Sequence, residues 1–533
     1  MSQPVSPAPG TSGRYLGLLV FTTGACTMGA EIAGARLLAP YFGDSTIVWA
    51  NTIAIVLVAL SIGYWLGGKL ADRRPDLKSL CTTVLAGAIL VTLVPFFARP
   101  FLGASVDAFD ELSVGVFAGS LVGVLVLLAI PVMIFGAVSP WALRIAMDNS
   151  DVEHAGQLAG RLYALSTAGS LLGTLVSAMV TIPLIGTQRT FILFALLVAV
   201  VASIGLRKVW PALVPAAVAC AALVPVGTIK ASGDGDVIFE AETPHQYIRV
   251  VETDDGERRL ELNEGQAIHS IYRPGDYLVG NYWDEHLVLP FVAAPAVTGA
   301  VPDLAPPPGP TGSEALRGWP GRVAILGNAA GTVARAYGHF YPDTKVDAVE
   351  IDGKVTEVGR EYFGLDNPNM TVHTEDARPW LEAADPVYDV IMVDAYHQPY
   401  IPFYMATKEF FELVRDRLKP GGVVLINVGH PENSDALEKN LTATLQEALP
   451  EVLRDPVTDT NTMLVGSADP ISSGNILLAT EGERSPIPRR LDGLATDTAI
   501  RVRPALTGGD IWTDDHAPVE WLVDLSLLDY ANE

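Results

Sequence analysis

Three acidic residues, Glu350, Asp376 and Asp394, each end or follow a short apolar segment in the second half of the chain. A turn of small residues, Gly327–Gly331, follows an earlier segment of the same kind. Small residues let a ligand approach the backbone, and an acidic side chain about 20 residues further on is the usual acceptor of hydrogen bonds from ribose hydroxyls. Glu350 lies 23 residues after Gly327. We therefore expect Gly327, Gly331 and Glu350 to bind a nucleoside.

Asp376 and Asp394 extend this prediction along the same crevice. Asp376 is placed to meet an adenine amino group, and Asp394 faces the crevice from the end of the next strand. The alternative is that these carboxylates only cap helices. Because Asp is a preferred N-cap residue, this alternative fits Asp376 well. It fits Glu350 and Asp394 less well, since several coincidences would be needed.

The elements that must position these residues alternate between apolar strands and helical segments from Gly321 onward. A helix is expected over about Thr407–Leu418, before the last strand. This alternation predicts a doubly wound, largely parallel sheet, in which ligands bind at the carboxyl ends of the strands. We assign residues 321–533 to this α/β Rossmann-like, nucleoside-binding catalytic domain. Its expected strands are Arg322–Gly327, Lys345–Ile351, Met370–Thr374, Tyr388–Asp394 and Val423–Val428.

A small β-hairpin domain with one following helix is expected over residues 236–295. Residues 236–261 alternate as strands do, and Asp254–Gly256 is a typical hairpin turn between two such runs. Tyr277–Ala294 is predicted to be a helix. Residues 296–320, rich in Pro and Gly, are predicted to form a linker.

Charge divides the 533-residue chain into two parts. The formal net charge is −25, yet only 18% of residues are charged and the mean hydropathy is +0.31. Residues 1–230 hold 13 Lys and Arg and 10 Asp and Glu, so residues 231–533 carry the other 22 basic and 50 acidic residues, a net of −28. This acidity argues against nucleic acid as a partner and suits a cationic one, although solubility alone also explains it.

Residues 14–230 are predicted to form a multi-span α-helical membrane domain, because a bilayer-spanning helix needs about 20 mostly apolar residues. Residues 1–13 are predicted to be a disordered tail. A cleaved signal peptide is not expected, since Glu31 and Arg36 interrupt the first apolar stretch. The seven candidate spans are Tyr15–Leu38, Ile47–Gly67, Ser79–Ala98, Ser113–Ser139, Tyr163–Gly186, Thr190–Leu206 and Trp210–Ile229.

Basic residues set the expected orientation, because cytoplasmic loops are enriched in Lys and Arg. They concentrate in the loops after the second, fourth and sixth stretches, so these loops and the N-terminus are expected in the cytoplasm of a multi-pass cell-membrane protein. We predict that the acidic domain is also cytoplasmic. An even number of spans gives this placement, whereas seven spans conflict with it.

These motifs resemble the spermidine synthase (polyamine aminopropyltransferase) family, and more closely its bacterial members with a fused N-terminal multi-span region. The resemblance covers residues 236–430, and Gly24–Phe42 and Gly63–Arg73 resemble the membrane part of the fused subgroup. The motifs of the acidic part that carry it are His245–Val250, Leu260–His269, Tyr282–Asp284, Val349–Asp352, Glu375–Arg378 and Tyr388–Asp394.

The resemblance implies an enzyme of polyamine biosynthesis that transfers the aminopropyl group of decarboxylated S-adenosylmethionine to a polyamine amine. It implies that Glu350 holds the ribose, Asp376 the adenine, and that Gln246 and Tyr282 line the channel for the aminopropyl group and the polyamine. Asp394 would bind and deprotonate the attacking amine, since an ammonium of pKa about 10 is no nucleophile. The family also implies a homodimer and no metal.

Three positions depart from the family pattern. Ala330 stands where the family usually has an Asp that holds the donor's amine, and His397 replaces an Asp three residues after the catalytic one. Trp283 replaces the usual Gln or His before the helix acid. Two anionic anchors for a cation are therefore missing, and Tyr396 and His397 are predicted to shape a different acceptor pocket.

Two other functions stay open at this point. Loss of the donor-amine Asp leaves room for the carboxylate of intact S-adenosylmethionine, so a methyltransferase-type enzyme is one alternative. The other is a non-catalytic membrane transporter or sensor with a relict nucleoside-binding domain. An acidic domain outside the cytoplasm would favour the latter, because it would lack the cofactor there.

Overall fold

The chain divides into two compact units. The first is Met1–Ala231 with Glu240–Tyr247 and Asn263–Gly265, and the second is Ser232–Phe239, Ile248–Leu262 and Gln266–Glu533. The computed structural model describes residues 9–42, 46–112, 115–148, 155–206, 208–225, 229–230, 232–263, 267–293, 319–396, 401–432, 434–482 and 485–523.

The first unit is built of helices. Glycines let two of them approach closely, because a Cβ atom at Gly169 would clash with the carbonyl oxygen of Phe21, and one at Gly173 with that of Ala25. The helices are α1 (Pro9–Phe42), α2 (Thr46–Arg73), α3 (Leu77–Leu112), α4 (Gly115–Gly136), α5 (Val138–Asp148), α6 (Ala155–Val176), α7 (Ile182–Leu206) and α8 (Leu213–Ala221).

Five helical runs are long and apolar enough to span a membrane, against seven predicted stretches. The fifth and sixth predicted stretches lie in one run of 52 residues, Ala155–Leu206, which non-helical backbone at Gly186 interrupts (φ 80°, ψ 167°). The seventh contains a helix only over Trp210–Ala221. At 1.5 Å per residue, such a helix is shorter than the roughly 30 Å of a bilayer core, so the prediction of a full-length seventh helix is wrong. The five runs are Gly13–Phe42, Val48–Arg73, Leu77–Leu102, Gly119–Asp148 and Ala155–Leu206.

The segment after α7 nevertheless turns back along that helix. Ser203 Oγ, near the end of α7, donates to the carbonyl oxygen of Pro211 at 3.0 Å. Gln188 Nε2, near the start of α7, donates to the carbonyl oxygen of Val224 at 3.2 Å. Within the first unit, Trp210–Val224 therefore returns from the C-terminal toward the N-terminal end of α7.

A four-stranded sheet holds the predicted small β-domain in chain order, with strands β1 (Asp236–Glu242), β2 (Tyr247–Glu252), β3 (Arg258–Leu262) and β4 (Ile268–Tyr272). β2 and β3 pair antiparallel, as do β3 and β4. The hairpin predicted at Asp254–Gly256 is confirmed, because Gly256 has a φ of 82° and Thr253 N donates to the carbonyl oxygen of Glu257 at 2.9 Å.

The second unit is centred on an eight-stranded sheet of order β12-β10-β11-β9-β8-β5-β6-β7. From β7 to β9 the neighbours are parallel, which confirms the predicted Rossmann-like, methyltransferase-type core. β10, β11 and β12 extend it antiparallel and were not predicted. The strands are β5 (Arg322–Leu326), β6 (Lys345–Val349), β7 (Met370–His373), β8 (Tyr388–Val393), β9 (Leu418–Gly429), β10 (Glu451–Thr458), β11 (Asn461–Ser467) and β12 (Arg503–Pro504).

Helices cover both faces of this sheet, because alternate residues of its central strands enter two separate apolar layers. On β5, for example, Val323 belongs to one layer and Ala324 to the other. The helix predicted at Thr407–Leu418 is confirmed, with Thr407 as its N-cap. The helices are α9 (Tyr282–Glu285), α10 (Thr332–Phe340), α11 (Gly353–Tyr362), α12 (Ala377–Ala383), α13 (Lys408–Arg417), α14 (Ala436–Gln446), α15 (Gly474–Thr480) and α16 (Asp492–Arg501).

The long helix predicted over Tyr277–Ala294 is wrong. The segment contains only α9 and a short 3-10 turn, Leu289–Val292. Positive φ angles at Gly280 (84°) and Asn281 (62°) prevent a helix from starting earlier, and Pro290 cannot donate the bond that would continue α9.

Candidate active site

Asp394 and the glycine turn meet at the centre of the large sheet. The order of the parallel strands reverses between β5 and β8, and ligands of doubly wound sheets bind at such a point. The backbone N–H of Asp394 donates to the carbonyl oxygen of Leu326 at 2.9 Å. A Cβ atom at Gly327 would clash with the backbone of Asp394 and Ala395. Glycine at this position therefore allows the loops after β5 and β8 to touch.

The turn itself needs residues that tolerate left-handed backbone. Gly327 and Gly331 have φ angles of 90° and 88°, which glycine adopts without strain. Ala329, between them, has a φ of 47°. Ala330 N donates to Ser270 Oγ at 3.0 Å. The hydrogen bond to Ser270 therefore holds the turn Gly327–Gly331 in place just before α10 begins.

Glu350 lies directly after β6 and is buried. Its Oε2 accepts from the backbone N–H of Ala329 at 2.9 Å, and its Oε1 accepts from that of Asp352 at 3.0 Å. Burial raises the pKa of this carboxyl to about 7, although the two N–H groups favour the charged form. Glu350 is thus tied to the same turn that was predicted to bind the nucleoside with it.

Asp376 is the N-cap of α12, as the capping alternative proposed. Its Oδ1 accepts from the backbone N–H of Arg378 at 3.0 Å. Its Oδ2 accepts from the hydroxyl of Tyr404 at 2.7 Å. Each carboxylate oxygen keeps a further lone pair, so capping does not prevent Asp376 from also accepting from an adenine amino group.

Asp514, near the C-terminus, also lies at this edge of the sheet. Asp514 receives both Nη groups of Arg378, at 2.7 and 2.6 Å, and the hydroxyl of Thr407 at 2.7 Å. Arg378 also donates to the carbonyl oxygen of Tyr404 at 2.7 Å. Asp514 therefore holds Arg378 in place, and Arg378 in turn links the helix start at Asp376 to the backbone of Tyr404.

Asp394 is held by a side chain from another strand of the second unit. Its Oδ1 accepts from Asn427 Nδ2 at 2.8 Å. Asp394 is half-buried, and loss of solvent around its carboxyl raises the pKa to about 7, against the lowering effect of Asn427 and of the Tyr282 hydroxyl. A carboxyl with this pKa changes its protonation near neutral pH and can act as a base.

Asp394 lines a small pocket of about 10 Å³. Trp283 and His286 belong to the lining and are buried. Burial lowers the pKa of His286 to about 4, so its imidazole is uncharged at neutral pH. His269, Ser270, Asn328 and Thr332 complete the polar lining. The pocket thus combines the Asp394 carboxyl with several hydrogen-bonding side chains.

The remaining predicted site residues have different positions. The Tyr396 hydroxyl donates to the carbonyl oxygen of Asn427 at 2.7 Å and accepts from Gly429 N at 2.8 Å, which anchors it beside the end of β9. His397 lies outside the described residues. Gln246 lies in the turn before β2, where its backbone bonds Thr243, and it belongs to the first unit. The predicted roles of Tyr396, His397 and Gln246 stay predictions.

Several site residues escaped sequence reasoning. Asn427 lies on the predicted fifth strand, near its end, so the rule that ligands bind at strand ends pointed to it. Asn328 lies inside the predicted turn Gly327–Gly331, although its side chain was not singled out. Tyr404 and Ser270 had no such signal, because each acts through a contact that only the folded chain makes. In the part of the chain that the structure describes, no group of three or more His, Cys, Asp or Glu residues is placed to hold a metal ion.

Residues 316–465 match the family model of the spermine/spermidine synthase domain. The "Probable polyamine aminopropyl transferase" of Bifidobacterium longum is 36% identical over 194 residues, which are 36% of this chain and 37% of that protein. Polyamine aminopropyltransferase of Vibrio vulnificus is 36% identical over 112 residues, 20% of this chain and 38% of that protein. The expected resemblance to the spermidine synthase family is therefore confirmed, although the match spans less than two fifths of the length of these two relatives.

A longer match includes the helical region. Polyamine aminopropyltransferase 1 of Ralstonia nicotianae is 24% identical over 481 residues, which are 83% of this chain and 82% of that protein. Among solved structures, a "probable spermidine synthase" from Corynebacterium glutamicum has a TM-score of 0.36 at 19% identity, covering 52% of this chain and 98% of that one. Scores at this level add nothing to the domain match.

Proposed function

We propose that the second unit transfers the aminopropyl group of decarboxylated S-adenosylmethionine to an amine of a polyamine, and that the helices of the first unit tether it to a membrane. The domain match and the names of the relatives support a transferase of this class. The observation that carries the proposal is the half-buried carboxyl of Asp394, bonded to Asn427 and adjacent to the glycine turn.

Asp394 supplies the base for this reaction. A polyamine amine is protonated at neutral pH, since its ordinary pKa is about 10. The ionised Asp394 takes one proton from that ammonium, and the freed lone pair attacks the carbon next to the donor's sulfonium. The new N–C bond forms as the C–S bond breaks, and the electron pair leaves on the sulfur of methylthioadenosine. Alignment of both reactants at the strand-order reversal provides the rest of the acceleration.

The other predicted residues bind the two substrates. Glu350 holds the ribose and Asp376 the adenine, beside the turn Gly327–Gly331. Tyr282 lines the aminopropyl and polyamine channel, and Tyr396 shapes the acceptor pocket. The net charge of −28 on residues 231–533 favours the approach of a cationic acceptor.

A product assay by mass spectrometry tests the proposal. The full chain, purified in detergent, is offered decarboxylated or intact S-adenosylmethionine with a panel of diamines and longer polyamines. We expect methylthioadenosine and an aminopropylated amine with the decarboxylated donor only, and no product from Asp394→Asn. Methylated amine and S-adenosylhomocysteine would show a methyltransferase instead. Absence of any product from folded protein would refute both transfer reactions.

A second candidate, a nucleoside-binding membrane protein without transfer activity, is favoured by the path of the first unit. If the basic loops keep the N-terminus in the cytoplasm, and if Trp210–Val224, which returns along α7, crosses the membrane although its helix is short, the following residues lie outside. An enzyme that uses decarboxylated S-adenosylmethionine would lack its donor there.

A reporter fused after Glu533 separates the two candidates. Our proposal of a cytoplasmic enzyme expects fluorescence from a reporter that folds only in the cytoplasm. Activity of a phosphatase that folds only outside it would favour the second candidate. A matched fusion in the loop after α2, at Pro75, marks the cytoplasmic side in the same cells.

A further inference from the structure

The pocket beside Asp394 contains one polar atom that the proposed mechanism does not use. Asn328 is 5% exposed, and its Oδ1 is buried without a hydrogen-bond donor among the residues that the structure describes. Buried polar atoms are nearly always paired, so an acceptor left open inside a pocket indicates a ligand group that donates to it.

The backbone around Asn328 fixes the direction of this side chain. Its backbone N–H donates to the carbonyl oxygen of Val349 at 3.0 Å, and its carbonyl oxygen accepts from Gly331 N at 2.9 Å. The amide Nδ2 faces the carbonyl oxygen of Ala329 at 3.4 Å. With these groups engaged, Oδ1 is the part of the residue left for the pocket.

The size of the pocket limits the donor to a small group. About 10 Å³ accommodates about one water molecule, and an amino group is of the same size. Among the other acceptors of the lining, the Asp394 carboxylate receives Asn427 and is reserved for the attacking amine, and Ser270 Oγ receives Ala330 N. The neighbouring Ala330 offers no polar side chain. Asn328 Oδ1 is therefore a buried acceptor available for a second amine.

We propose that Asn328 Oδ1 accepts a hydrogen bond from the amino group of the aminopropyl donor, which makes it a specificity-determining residue for the decarboxylated donor. This inference rests on the proposed function, because that reaction brings two amino groups to one site. Intact S-adenosylmethionine carries a carboxylate on the carbon that bears this amine. Its amine can donate to Oδ1 in the same way, but the added carboxylate does not fit beside it in a space for about one water molecule.

Calorimetry on the full chain in detergent tests this role with two ligands that differ in the amine. Decarboxylated S-adenosylmethionine carries the aminopropyl amine, and methylthioadenosine lacks it. We expect Asn328→Ala to weaken binding of the decarboxylated donor about tenfold, as for loss of one bond to a charged group, and to leave methylthioadenosine binding unchanged. Asn328→Asp, which keeps the shape and adds charge, is expected to tighten only the decarboxylated donor.

The controls separate this role from a structural one and from the function itself. Asn369→Ala, whose amide donates to the carbonyl oxygen of Pro342 at the surface, is expected to bind both ligands as the unaltered chain does. Equal weakening of both ligands by both Asn328 variants, or no change in either, would overturn the role of Asn328 alone. An unaltered chain that binds neither ligand would overturn the proposed function.

Discussion

The crevice has two ends, whose carboxylates are held by different kinds of groups. At the nucleoside end, formed by Gly327–Gly331, Glu350 and Asp376, backbone N–H groups bond both acids, and the Tyr404 hydroxyl adds one side-chain donor to Asp376. At the transfer end, formed by Asp394, Asn427 and Tyr282, the side chain of Asn427 bonds the acid. The first arrangement follows mainly from backbone groups of the strand-end turns, whereas the second depends on a side chain from a distant segment.

This difference assigns different tasks to acids with similar pKa values. Burial raises the pKa of both Glu350 and Asp394 to about 7. Backbone donors orient Glu350 rigidly, which suits recognition of a ribose. Asp394 lies beside a pocket and must take up and release a proton. Side-chain donors suit this task, because they can adjust to both charge states of the carboxyl. Each of the following predictions changes one end and measures both.

Asp394→Asn is expected to have the largest effect, because it removes the base and keeps the shape of the transfer end. The value of kcat should fall about a thousandfold, within the range for loss of a general base. Binding of methylthioadenosine, measured by calorimetry, should change less than about twofold because the nucleoside end is intact. Asp343→Asn, at an exposed surface position, is the control and should leave kcat unchanged. A large loss of methylthioadenosine affinity would show that the two ends are not independent.

The pH dependence of kcat/KM is expected to report the ionisation of both Glu350 and Asp394. Since each must be ionised and has a pKa raised to about 7, activity is lost as pH falls through that value. Well below pH 7, kcat/KM should fall about a hundredfold per pH unit when both protonate and about tenfold when only one does. In Glu350→Gln only Asp394 still titrates, so the slope of log kcat/KM against pH should fall from two to one. An unaltered slope in this variant would assign the titration to Asp394 and another group.

Glu350→Gln itself should weaken methylthioadenosine binding about tenfold or more, the cost of losing a charged acceptor. The amide oxygen can replace only one of the two carboxylate oxygens that receive Ala329 N and Asp352 N. Calorimetry measures the affinity, and a thermal melt shows how much of the loss comes from reduced stability. With saturating donor, kcat should remain within a few fold of the original. A loss of kcat as large as that of Asp394→Asn would refute the division of tasks.

Tyr404→Phe is expected to have the smallest effect, about threefold on nucleoside affinity, because it removes one neutral donor from Asp376. The N-cap bond to Arg378 N keeps the carboxylate in place. Comparing methylthioadenosine with its analogue lacking the adenine amino group locates the effect. If Asp376 accepts from that amino group, the variant weakens methylthioadenosine more than the analogue. Equal weakening would leave Asp376 with its capping role only.

Sequence reasoning reached the parallel strands and the acids at their ends because both are contiguous features. Lys345–Val349 and Tyr388–Val393 are short apolar runs, and Glu350 and Asp394 come directly after them. The helix predicted over Tyr277–Ala294 failed for a physical reason of the same local kind, since positive φ angles at Gly280 and Asn281 break it. The seventh membrane stretch failed because composition measures apolar length but not where a helix ends.

By itself, the sequence determined that a charge-poor helical region precedes an acidic parallel-sheet unit with a glycine turn and three strand-end acids. Only the tertiary structure decided what those acids can do. Asn427 lies 33 residues after Asp394, and Tyr404 lies 28 residues after Asp376. No sequence pattern indicates that either pair is in contact. Protonation near neutral pH and the open acceptor of Asn328 depend on burial by such distant segments, since an isolated stretch of chain leaves every one of these groups in water.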